Sequence, residues 1–126
     1  MYRSVRNIYE EALLVKDLSP SSFAVQVGRA LEAIQADLGI PKRGLEQLES
    51  HSPQGLSQIA IRIKDWRNIG AHHDSLAITP EQVDDIDAFF RLITDYVYVI
   101  PHKLERARRK IEIAVDANNS DDGVVH

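Results

Sequence analysis

The chain contains no cysteine, one tryptophan, one methionine and no long apolar run. Without cysteine there is no disulfide framework and no thiolate metal site, a composition that fits a reducing cytosol. A membrane-spanning helix needs about 18 consecutive apolar residues, and no stretch approaches that. The opening MYRSVRNIYEEALLV is charged throughout and lacks the apolar core of a signal peptide. Basic charge is in deficit, with 15 Lys and Arg against 19 Asp and Glu and a formal net charge of -4. No global field therefore draws in nucleic acid, and any RNA or DNA contact has to come from a local patch. Strand-like alternation is missing, as are an internal repeat, a glycine-rich phosphate loop, a nucleophile elbow and a paired-carboxylate arrangement. These absences predict a soluble, cytoplasmic protein with no membrane association and no cofactor.

What is present is helical periodicity, in 126 residues that are 44% hydrophobic, the size of one domain. Proline and glycine divide the sequence into four blocks, predicting helices near 2–16, 20–38, 53–69 and 80–116. In the first, Val5, Ile8, Tyr9, Ala12, Leu13 and Val15 repeat at i, i+3 and i+4. Ser19 before Pro20 reads as a cap for the second, and Gly39 as its stop, where positive φ is often required. A short helical turn is expected at 45–49. Ser52-Pro53 is a second cap-plus-proline pair, and Gly70 is expected to end or distort the third helix. Thr79-Pro80-Glu81-Gln82 reads as a capping box. The fourth block is long and carries Pro101, which removes a backbone hydrogen bond and clashes with the preceding turn, so a kink or break is expected there. The fold class is all-α, a bundle of four or five helices: one domain over 1–117 and a flexible polar tail over 118–126. Phe89, Phe90, Tyr96 and Tyr98 are spread around the fourth helix, more aromatic surface than a small core covers, which predicts a homodimer.

Candidate chemistry gathers in DWRNIGAHHD, residues 65–74. Arg67 and His72 are five positions apart, so on a regular helix they are rotated by about 140° and share a face only if the helix unwinds. Gly70 makes unwinding cheap. Asn68 and His72 share a face in either case. The plain alternative is a helix C-terminus where Arg and His complement the negative end of the dipole. His72, His73 and Asp74 lack the spacing of a metal site, and none is expected. Arg29 and Glu32, three apart, either pair along the second helix or face the pocket of Arg67. HKLERARRK, residues 102–110, is the one locally basic segment, and Lys103, Arg106, Arg109 and Lys110 are its phosphate-contact candidates. Such a run is otherwise a solvated face.

The segment WRNIGAHHD resembles the signature of the HEPN superfamily, an arginine followed by a polar residue and, four to six positions on, a histidine. AVQVGRALEAI, RNIGAHHD and ITPEQVDDIDAFFRLITDYVYVIPHKLER, in that order over 20–109, resemble one branch more closely. That branch is a bacterial HEPN-like domain of unknown function, found alone or fused to restriction-type and other defence proteins. The resemblance implies a helical bundle that often dimerises, bringing two arginine-histidine motifs to a shared cleft. In active members the chemistry is metal-independent RNA cleavage leaving a 2',3'-cyclic phosphate. Carried over, Arg67 would stabilise the phosphate, His72 would move the proton, Asn68 would orient one of them, and Glu32 and Arg29 would be supporting partners. An imidazole with pKa near 6.5 and a bidentate guanidinium suit those roles. Two readings stay open: a dimeric endoribonuclease of a toxin–antitoxin or other defence system, acting on RNA or held by an antitoxin protein, or a non-catalytic RNA- or protein-binding and dimerisation module.

Overall fold

The computed structural model describes residues 2–51, 55–72 and 78–125, with side chains over 2–50, 55–71 and 78–118. The Ser52-Pro53 cap and the His73 and Asp74 readings lie outside the described residues, as does the side chain of His72. Helix α1 spans Tyr2–Val15, α2 Pro20–Leu38, α3 Leu56–His72, α4 Pro80–Thr94 and α5 Ile100–Val125. A 3-10 helix, Leu45–His51, precedes α3, and a π-helical turn, Asp95–Val99, joins α4 to α5. No strand occurs among the described residues, and the protein is an all-α bundle. Among the described residues, no helix is long and apolar enough to cross a membrane.

Local chemistry sets both ends of α2 and the start of α4. The Ser19 side chain accepts from the Ser22 N–H, and Pro20 occupies the first helical position. Gly39 ends α2 at φ 71°, a left-handed conformation that costs glycine little. At α4 the box is complete: Gln82 N–H donates to Thr79 Oγ1 at 3.1 Å and Thr79 N–H to Gln82 Oε1 at 2.9 Å. The start of α3 is capped from a distance. The Glu49 carboxylate, on the 3-10 helix, accepts from the Gly55 N–H at 3.1 Å and from the Ser57 hydroxyl and N–H. Those hydrogen bonds, the Ser57 hydroxyl first, hold Glu49 below the usual carboxylate range.

Helix α2 lies at the centre, packed by α1 on one side and α3 on another, with α4 closing the bundle. Phe23, Val27, Leu31 and Ile34 of α2, Ile63 of α3 and Ile86, Phe90 and Ile93 of α4 form the buried core. A polar clamp fastens α1 to α4. Asp87 is buried, accepts from Tyr9 Oη, and is bonded by Lys16 Nζ at 3.1 Å; Arg91 Nε donates to Tyr9 Oη at 2.9 Å. Burial, then the bond to Asp87, pushes the Tyr9 phenol up from its ordinary value.

Three expectations change in detail. The break assigned to Pro101 is a π turn one turn earlier, where the Ile100 N–H bonds to Asp95 O. A proline ring inside a helix crowds the carbonyl four residues back, which here is that of Val97, so an irregularity upstream of the proline is where its effect falls. The aromatic rings of the fourth block are occupied within the chain. Phe90 is buried and stacks on Tyr9, Phe89 packs on Trp66 at 5.7 Å, and Tyr98 packs on Tyr2 and donates to Asp37 at 2.7 Å. Exposed apolar side chains line α5, Leu104, Ile111, Ile113 and Val115 among them, as Leu14 and Leu18 do at the end of α1, and the α5 helix continues to Val125 through the segment read as a tail.

Candidate functional site

Arg67 sits on the face of α3 that meets α2. Its stem crosses Gly28: a Cβ built there would lie 2.5 Å from Arg67 Cγ and 2.8 Å from Arg67 Cβ. One turn on, Gly70 makes a second close approach, where a Cβ would lie 2.9 Å from the Ser21 carbonyl oxygen. The two glycines let α2 and α3 run antiparallel with backbones nearly in contact. Gly70 therefore serves spacing, not unwinding. The chain stays helical through it to His72, and the positive-φ glycines are Gly39 and Gly55.

The Arg67 guanidinium donates from Nη1 to Glu32 Oε1, a pair whose side chains are 29% and 24% exposed. Lys42 Nζ lies 3.7 Å from the other Glu32 oxygen. Lys64 Nζ donates to the Lys42 carbonyl at 3.2 Å, and buried Gln35 donates to the Pro41 carbonyl at 2.9 Å, folding the 40–44 loop over the pair. Gly28, Leu31, Glu32, Gln35, Lys42, Lys64 and Arg67 line a cavity of about 20 Å³. That volume holds about one water molecule.

The sequence candidates therefore separate. Glu32 joins Arg67, as one of its two readings had it. Arg29 does not pair with Glu32; it is exposed and donates to Gln26 at 2.8 Å. Asn68 is exposed and takes no part in the Arg67 network. With α3 regular, the Cα of His72 lies about 140° around the axis from that of Arg67, on the exposed side with Asn68. Lys103, Arg106, Arg109 and Lys110 are exposed on α5, Arg109 paired with Glu105 at 3.3 Å, and far along the chain from the α2–α3 seam. Among the described residues, no group of three or more His, Asp or Glu is arranged to hold a metal. Sequence reasoning missed Gly28, Lys42 and Lys64. Gly28 stands next to Arg29 in the segment already singled out, and a glycine inside a helical pattern was the available signal.

A family model described as a domain of unknown function, DUF4145, matches residues 10–111. The chain belongs to the DUF4145 family. The match runs from α1 into α5, so it takes in the α2–α3 seam, the 67–72 segment and the basic half of α5. No curated protein and no solved structure matches the chain significantly.

Proposed function

We propose that this DUF4145 chain is a non-catalytic interaction module of HEPN type, in which Arg67 locks α3 onto α2. One observation carries the reading. The guanidinium is already occupied by the Glu32 carboxylate, in a cavity of about 20 Å³. A phosphodiester does not enter that space while Glu32 holds the arginine. A hydrogen bond to a charged group contributes about 1.5–3 kcal/mol, so the pair is large enough to be a reason for the arginine by itself. The exposed Asn68 then belongs to a surface offered to a partner, a second copy or another protein.

The test joins nuclease and stability measurements. Purified protein with single-stranded RNA and a chelator is expected to leave the RNA intact. Arg67→Ala is expected to lose about 1–3 kcal/mol of stability, Glu32→Ala a similar amount, and the double variant little more than either, since the two share one interaction. Cleavage by wild type that disappears in Arg67→Ala, at unchanged melting temperature, would overturn the reading.

A second reading, the metal-independent endoribonuclease of a toxin or defence system, has its own support. Lys42, Lys64 and Arg67 surround one carboxylate, so the cluster carries two positive charges more than negative. In that reading the 2'-hydroxyl attacks the adjacent phosphorus, the bond to the 5'-oxygen breaks, and His72 moves the proton. Because Arg67 and His72 diverge on one helix, the two would come from different protomers of a homodimer. His72→Ala would then lose on the order of 10²–10⁴-fold in rate. Mixing inactive Arg67→Ala and His72→Ala protomers would restore part of the activity.

A further inference from the structure

Helix α5 stands apart from the bundle. Its main packing is against the π turn from which it continues, and every described residue from 100 to 118 is exposed except half-buried Glu105. Yet it is amphipathic. Leu104 is 65% exposed, Ile111 63%, Val115 49% and Ile100 37%. On a helix these four fall within an arc of about 60°, a continuous apolar stripe of the kind that faces another helix. Charge along α5 is segregated as well. Lys103, Arg106, Arg108, Arg109 and Lys110 against Glu105 make the first half +4, and Glu112, Asp116, Asp121 and Asp122 make the second half -4.

We propose that α5 pairs with α5 of a second copy of this chain in antiparallel orientation, burying the Leu104–Ile111–Val115 stripe of both. The orientation follows from the charges. Antiparallel pairing sets each basic half against an acidic half, whereas parallel pairing sets like on like. The reversal of charge between Lys110 and Ile111 places Ile111 near the twofold axis and Leu104 opposite Asn118 of the second copy. The stripe, rather than the basic residues alone, decides against an RNA strand as the occupant. Phosphates call for cations, and nothing in them calls for an apolar face that no charge interrupts from Ile100 to Val115. The proposal deepens the module reading by naming its self-association surface.

The test is sedimentation combined with single-cysteine crosslinking in a chain that has no cysteine of its own. Wild type is expected to be dimeric at micromolar concentration. Leu104→Glu removes an apolar contact from both copies and is expected to raise the dimer Kd about 100-fold or more. Its melting temperature as a monomer should be unchanged, because Leu104 does not pack on the bundle. Ile111→Cys is expected to crosslink to itself. Leu104→Cys is not, since antiparallel pairing separates its two copies by about 21 Å against a disulfide reach of about 7 Å between Cα atoms. Leu104→Cys mixed with Asn118→Cys is expected to crosslink. Raising NaCl from about 0.05 M to about 0.5 M should weaken the dimer by screening the opposed halves. A monomer at all micromolar concentrations overturns the proposal, as does self-crosslinking of Leu104→Cys, which marks a parallel pair. A monomer that binds polyuridylate with steep salt dependence overturns it too and gives the basic half to phosphates. Arg67→Ala, which disturbs only the α2–α3 seam, should leave the dimer intact, so failure at Arg67 and failure at α5 are read from different variants.

Discussion

Gly28→Ala tests whether the α2–α3 seam is set by contact between backbone and Arg67. In the interior of a helix the change from glycine to alanine is favourable by about 1 kcal/mol, because the unfolded chain loses conformational freedom. Here the added methyl would lie 2.5 Å from Arg67 Cγ and 2.8 Å from Arg67 Cβ, separations that real methyl groups do not adopt. The Cγ can swing away with the rest of a flexible side chain. The Cβ is fixed to the backbone of α3, so α3 itself has to move, and Glu32 then loses its partner. Overpacking of this kind costs about 1–3 kcal/mol and the broken ion pair about 1.5–3 more, which together exceed the propensity gain. Gly28→Ala is therefore expected to destabilise by about 2–4 kcal/mol. For a domain of this size that is roughly 8–16 °C in Tm, at about 4 °C per kcal/mol. Thermal unfolding by circular dichroism measures it, and Arg67→Ala provides the internal control. With Cγ and the guanidinium gone, Gly28→Ala should cost distinctly less than in wild type. A Gly28→Ala protein that is more stable than wild type, or a cost identical in both backgrounds, would refute the reasoning.

Other sites carry their own expectations. Thr79→Ala breaks the capping box at α4 and should cost about 1 kcal/mol by chemical denaturation. Asp87→Ala, which strips the common acceptor from Tyr9 and Lys16 at a buried position, should cost about 3 kcal/mol by the same measurement and loosen α1 first, seen as faster amide exchange there. Glu49 is held below its unfolded value, so the stability it contributes is present above the unfolded pKa and disappears as pH falls through the folded one. Glu49→Gln should accordingly melt lower than wild type at neutral pH, the gap closing as the solution is acidified through the carboxylate range.

The legible features were those whose partners lie close in sequence. Ser19 with Ser22, Thr79 with Gln82 and Gly39 at the end of an apolar period are i to i+3 or single-residue signals, and the structure has each where the sequence puts it. Glu49 caps α3 from six residues before Gly55, a separation that no local pattern encodes. The glycines show the limit most plainly. A helical glycine can mark a stop, a bend or a close approach, and only the neighbour distinguishes them. Gly39 has positive φ, whereas Gly70 is helical and faces the Ser21 carbonyl. Pro101 signalled a break, but its ring acts on the carbonyl of Val97, so the irregularity appears before the residue that causes it. The aromatic residues of α4 and the π turn were legible as apolar surface, but not as surface already covered by Trp66, Tyr2 and Tyr9 from other helices.

The 67–72 segment makes most sense as two faces of one helix. Ile63, Arg67 and Gly70 recur at spacings of four and three, and they meet, in turn, the core, Gly28 with Glu32, and Ser21. Asn68 follows Arg67 by about 100° and is exposed, and the His72 position falls one turn beyond it on that same side. The arginine is thus committed to the inside of the bundle and the Asn68 side to the outside. A site built from both needs α3 to unwind, which the helical Gly70 does not do here, or a second chain to supply the other half. A scaffold needs neither, since the seam holds through Arg67 while the outer face stays free for contact. The same division recurs at α5, where an apolar stripe and segregated charges remain after the bundle has closed on its own aromatic residues.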